Sequence, residues 1–105
     1  MKKRKIYRFE QANGNGCWYN SNNQFNNFYG RMVENIQMPY DNRPKTHRAG
    51  CFSLKTLYQW GNKKALQKMH AVVIVVLSDD YILLPKGEVI YNEHKTYYKK
   101  VLKRY

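Results

Sequence analysis

Between Asp41 and Asp79 the chain carries Arg43, Lys45, Arg48, Lys55, Lys63, Lys64 and Lys68 and not one carboxylate. Cations in such a run are suited above all to holding phosphate oxygens, Lys as a compact point charge and Arg as a planar fork. Lys2, Lys3, Arg4, Lys5 and Arg8 crowd the start, and Lys95, Lys99, Lys100, Lys103 and Arg104 the end. The totals are nineteen Lys and Arg against seven Asp and Glu, a net charge of +12. Three basic blocks repel one another in a folded domain, and a polyanion relieves that repulsion. Nucleic acid, free or inside a ribonucleoprotein, is therefore the expected partner. The expected phosphate contacts are Arg43, Lys45 and Arg48 on a loop, and Lys55, Lys63, Lys64 and Lys68 on a helical ridge. Lys99, Lys100, Lys103 and Arg104 would add a third set on a terminal helix. Tyr40 and Tyr58 are placed to stack on bases, whereas Trp60 reads as core. The chain holds no zinc finger, RNP motif or GxxG loop, so these residues give affinity without base specificity.

Other chemistries have less to work with. Cys17 and Cys51 fit no metal spacing, and His47, His70 and His94 form no ligand pair, so neither a metal nor a cofactor is expected. Both cysteines read as buried free thiols in a reducing compartment. A Cys51–His47 or Cys51–His70 dyad is outweighed by a core thiol beside Phe52. The only adjacent acids, Asp79 and Asp80, read as turn formers. Residues 1–10 lack the apolar core of a secretory signal, and the longest apolar run, 71–77, is too short to span a bilayer. The expected location is the cytoplasm of a bacterial host.

These residues need a scaffold. One domain is expected over 1–105, α+β in class, with two or three helices on an open, largely antiparallel sheet. A basic arm covers 1–5, and a strand follows over 5–10 with Ile6 facing the core. On that strand Arg8 reads as an edge cation. Asn13-Gly14-Asn15-Gly16 favours a tight reversal. Phe25, Phe28, Tyr29, Met32, Val33 and Ile36 recur at helical spacing over 24–36, and residues 38–50 read as a loop. Ser53 is a candidate N-cap for a helix over 54–60, and a further turn or two of helix spans 63–70. The unbroken β-branched run at 71–77 predicts a strand buried on both faces. With 81–84 and 88–91 it forms a C-terminal β-meander. Tyr97, Tyr98, Val101, Leu102 and Tyr105 recur every three to four residues opposite Lys and Arg, which predicts an amphipathic basic helix over 94–105.

The pattern Tyr-Arg-x-Glu (Tyr7, Arg8, Glu10), followed by a Gly-containing turn, resembles small proteins encoded by bacteriophages and prophages. Cys51, Phe52, Ser53, Leu54, Leu57 and Trp60, then Val72 to Val76, continue that resemblance. It implies a phage-type accessory protein that binds and inhibits a host-defence machine, in the manner of an anti-CRISPR. A second likeness is to the ADP-ribosyltransferases, in which an Arg or His, a Ser or Tyr, and a Glu lie on successive strands. Arg8, Ser53 and Glu88 occur in that order. The likeness implies that Arg8 holds NAD phosphate and that Ser53 supports Glu88, whose charge stabilises an oxocarbenium-like centre. Apart from any resemblance, Ser53 is explained as an N-cap and Glu88 as a turn carboxylate.

Overall fold

The computed structural model describes residues 2–11, 47–60, 63–68, 70–83 and 88–105. The turn at 13–16, the helix expected over 24–36, Cys17, Tyr40, Arg43 and Lys45 lie outside them. Six strands and two short helices are described: β1 (Arg4–Glu10), β2 (His47–Cys51), α1 (Leu54–Trp60), α2 (Lys63–Lys68), β3 (Val72–Ser78), β4 (Tyr81–Leu83), β5 (Glu88–Asn92) and β6 (Thr96–Arg104). The strands form one antiparallel sheet in the order β4-β5-β2-β1-β3-β6. The α+β class is as expected, with sheet predominating.

The sheet has to curl. Ser78 ends β3 and Tyr81 begins β4, yet the two strands lie four places apart in the order. In a flat sheet those places span about 19 Å, whereas three Cα steps reach at most about 11 Å. The chain therefore turns a corner at Asp79-Asp80, and the Asn92 amide at the end of β5 donates to Asp80 O at 3.2 Å. The bend falls where β1 meets β2, since those strands share only the Tyr7–Cys51 register, while β1 and β3 pair over seven residues from Arg4–Ser78 to Glu10–Val72. At that crossing a Cβ on Gly50 would sit 2.5 Å from Tyr7 O and 2.8 Å from Ile6 Cγ2, closer than any side chain allows. Only glycine lets β2 approach so near.

The curl places Ile6, Ile74 and Val76 from one half of the sheet against Val89 and Tyr91 from the other, with Phe52, Val72 and Tyr81 at the margin. On the outer face α1 brings the Tyr58 ring to 6.2 Å from Phe9, and Leu57 and Leu66 are buried. As expected, β3 is an interior strand with most of its residues buried. The β-meander is corrected: β4 and β5 form a hairpin, but the neighbours of β3 are β1 and β6. Closeness in sequence suggested adjacency, and a strand that changes sides at a corner breaks that rule.

The basic helix expected over 94–105 is also corrected. After one turn of 3-10 helix at Glu93–Lys95, capped by the Asn92 side chain, the chain runs as β6 along β3. Register shifts lie between Val73 and Ile74 and between Leu77 and Ser78. Each shift re-phases the alternation along β6, so a strand with two irregularities imitates helical spacing. Thr, Tyr and Val are moreover better strand than helix formers. Two smaller corrections concern boundaries. The loop drawn over 38–50 gives way to β2 at His47, and the basic arm drawn over 1–5 enters β1 at Arg4. The arm is held down: Tyr81 Oη donates to Lys2 O at 2.9 Å, and the Arg4 guanidinium lies 3.6 Å from the Phe52 ring centroid. Among the described residues no helix is long and apolar enough to cross a membrane.

Candidate functional site

The helical ridge begins at Ser53. Its Oγ accepts from the Thr56 amide at 3.1 Å and donates to Thr56 Oγ1 at 2.9 Å, which makes it the N-cap of α1. With Leu57 and Leu66 turned inward, Lys55, Lys63, Lys64 and Lys68 are left exposed, and Tyr58 stays 42% exposed beside them. Spacing alone dictates this: four lysines cannot share the face that buries two leucines.

The second basic surface is β6, exposed from Tyr97 to Arg104. Cross-strand partners share a face. Lys99 opposite Val76, Val101 opposite Ile74 and Arg104 opposite Val72 belong to the inner side. Tyr98 opposite Leu77, Lys100 opposite Val75 and Lys103 opposite Val73 belong to the outer. A helix would have gathered the cations on one stripe, whereas the strand distributes them over both faces. Tyr97 donates to Asp79 Oδ2 at 2.6 Å, which raises its pKa, and Lys3 Nζ stands 4.1 Å over its ring. Lys103 Nζ lies 4.6 Å from the ring centroid of Tyr105. Tyr97 and Tyr98 thus join the basic surface as aromatics. Reading them as the inner stripe of a helix had hidden that.

The carboxylates are engaged elsewhere. Glu10 holds Lys99 Nζ at 2.8 Å, Asp80 holds Lys95 at 3.6 Å, and Glu93 holds Arg48 at 3.2 Å. The described structure gives no ion pair to Lys55, Lys63, Lys64, Lys68, Lys100, Lys103 or Arg104. Arg48 belongs to β2 and pairs with Glu93, so it does not lie on the loop expected over 38–50; Arg43 and Lys45 lie outside the described residues.

Arg8 is no edge cation. On the interior strand β1 it is 2% exposed, and Glu10 5%. Arg8 Nε stands 3.4 Å from Glu10 Oε2, yet Nε and Nη1 make no hydrogen bond among the described residues. The guanidinium also acts on Tyr91. Burial raises the pKa of that phenol, and the charge and hydrogen bonding of Arg8 oppose the rise. Arg8, Glu10, Tyr91 and Lys99 thus form a polar seam from the interior to the surface, which sequence reasoning missed. The signal was present in the alternation: if Ile6 faces inward, so do Arg8 and Glu10.

Of the three residues related to the ADP-ribosyltransferases, Arg8 lies inside, Ser53 is exposed and caps α1, and Glu88 opens β5. Arg8 is on β1 and Glu88 on β5, with β2 between those strands and Ser53 just beyond its end, and Tyr7, Cys51 and Glu88 lie in one row across β1, β2 and β5. Arg8 and Ser53 fall one and two residues from that row. No described hydrogen bond or ion pair joins Arg8 to Ser53. Cys51 is buried, and its Sγ donates to Ser53 O at 3.3 Å. Among the described residues no group of three or more His, Cys, Asp or Glu could hold a metal ion. Compared with family models, curated proteins and solved structures, the chain matches none of them.

Proposed function

We propose that the protein is a non-enzymatic, phage-type accessory protein that binds nucleic acid, free or within a host nuclease's ribonucleoprotein. In that role it inhibits host defence in an anti-CRISPR-like way, inside the bacterial cytoplasm. One observation carries the binding: Lys55, Lys63, Lys64 and Lys68 on the helices and Lys100, Lys103 and Arg104 on β6 are exposed and paired with no acid among the described residues. Phosphates would supply the missing counter-charge, and release of their counterions would drive association. Tyr58 offers a ring for stacking beside the ridge. Arg43, Lys45 and Tyr40 remain proposed contacts from the sequence alone, and the link to host defence rests on the resemblance.

Binding is expected to be spread over many weak contacts. Neutralising Lys63, Lys64 and Lys68 together, or Lys100, Lys103 and Arg104 together, lowers the salt slope by about one unit per cation removed. Affinity falls alike for unrelated sequences, and the melting temperature stays near the parent's. A salt titration of binding to single-stranded RNA and duplex DNA measures this. A flat salt dependence in the parent would refute the reading.

A second reading, an ADP-ribosyltransferase-like enzyme or an inactive nucleotide-binding relative, is favoured by the shared row of Tyr7, Cys51 and Glu88. Against it stand the capping role of Ser53 and the pairing of Arg8 with Glu10. The expected result is that the parent consumes no NAD and that Glu88→Gln leaves polyanion binding unchanged. NAD turnover lost in Glu88→Gln would reverse the order of the two readings.

A further inference from the structure

The two edges of the sheet are unlike. β4 is three residues long, and shortness is one way proteins protect an edge. β6 is nine residues long and exposed, and among the described residues it pairs only with β3, so that no described strand takes up the backbone N–H and C=O groups of its outer edge. The register with β3 is regular from Tyr98 to Val101, between the two shifts. Tyr98, Val101 and Leu102 leave apolar surface on this edge, 40%, 38% and 42% exposed. From these features we infer that β6 is a docking edge, which takes up an extended acidic segment of a partner protein as a seventh strand.

Charge selects that occupant. A second copy of this chain pairing through β6 would bring Lys99, Lys100, Lys103 and Arg104 against the same residues, and like charges opposite one another destabilise a strand pair. An acidic strand meets the reverse situation. Cations lie on both faces of β6, Lys100 and Lys103 on one, Lys99 and Arg104 on the other. The complementary segment therefore carries Asp or Glu at successive positions. Strand addition draws affinity from main-chain hydrogen bonds, and the side chains give selectivity. Nucleic acid can satisfy the lysines but not the strand edge. The cations of the ridge and of β6 can thus take up phosphates as proposed above, whereas the backbone edge of β6 is open only to a strand, supplied by a protein component of the same target.

The test uses the full chain and a nine-residue, acetylated Glu-rich peptide with two Val residues. It is compared with a peptide of the same charge in which every amide is N-methylated. The unmethylated peptide is expected to bind and to slow amide hydrogen exchange across residues 98–101. Methylation, which removes the backbone donors, is expected to weaken binding by about tenfold or more. Lys100→Glu with Lys103→Glu should abolish binding while the melting temperature holds. Equal affinity for both peptides, unchanged exchange in β6, or oligothymidylate giving the same protection of 98–101 would overturn the inference. The polyanion reading fails on a different result, salt-independent oligonucleotide binding, so the two failures are distinguishable.

Discussion

Val89→Asp is expected to leave no cooperative unfolding transition at room temperature. Val89 is fully buried in the cluster that joins the two halves of the curled sheet, and its β2 partner is Gly50, which has no side chain to offer. The substitution forfeits about 1.5–3 kcal/mol of apolar burial. It also places in the interior a carboxylate with no cation opposite, at a cost of several kcal/mol more. A domain of this size holds roughly 5–15 kcal/mol in total. Ile74→Asp provides the contrast. Ile74 is equally buried, but its β1 partner is Arg8, whose Nε and Nη1 make no hydrogen bond among the described residues. A carboxylate there meets a guanidinium with donors to spare, so Ile74→Asp should destabilise less and keep a cooperative transition. Urea unfolding followed by circular dichroism ranks the two. Equal losses would show that Arg8 does not compensate a new buried charge.

What the sequence disclosed and what it concealed divide along a physical line. The strands β1 and β3 and the helices α1 and α2 were legible because their signals are local: alternation from Ile6, a β-branched run, and a serine three residues before Thr56. The outward lysines were legible because an unpaired ammonium is rarely buried. β6 was concealed by two register shifts that imitate a helical period. β2 was concealed because His-Arg-Ala-Gly-Cys has little β-propensity, and its pairing with β1 and β5 makes it a strand. The strand order could not be read from sequence neighbours, since the corner at Asp79-Asp80 sends the chain to the far end of the sheet. Burial of Arg8 was concealed by its charge, although its parity with Ile6 pointed inward.

Glu10→Ala is the second large effect, about 3–5 kcal/mol of lost stability. Glu10 Oε2 faces Arg8 Nε at 3.4 Å, and both side chains are almost wholly withdrawn from solvent. Deleting the carboxylate strands the Arg8 charge in the interior, and the penalty is the desolvation of that charge rather than the worth of the pair. Lys99 also loses its partner, but at 54% side-chain exposure it returns to water at little cost. Lys99→Met should therefore change stability by less than about 1 kcal/mol, the scale of exposed ion pairs. The double variant Arg8→Met with Glu10→Leu removes both charges and keeps comparable volume. Buried ion pairs replaced in this way are often neutral or stabilised, so it should recover most of what Glu10→Ala loses. Denaturant midpoints for the three variants give the answer. If the double variant is as unstable as Glu10→Ala, the seam is a hydrogen-bonded network centred on Tyr91, and packing cannot replace it. If it recovers, folding does not require Arg8, and a role in ligand binding becomes the question that NAD and oligonucleotide assays of the same double variant address.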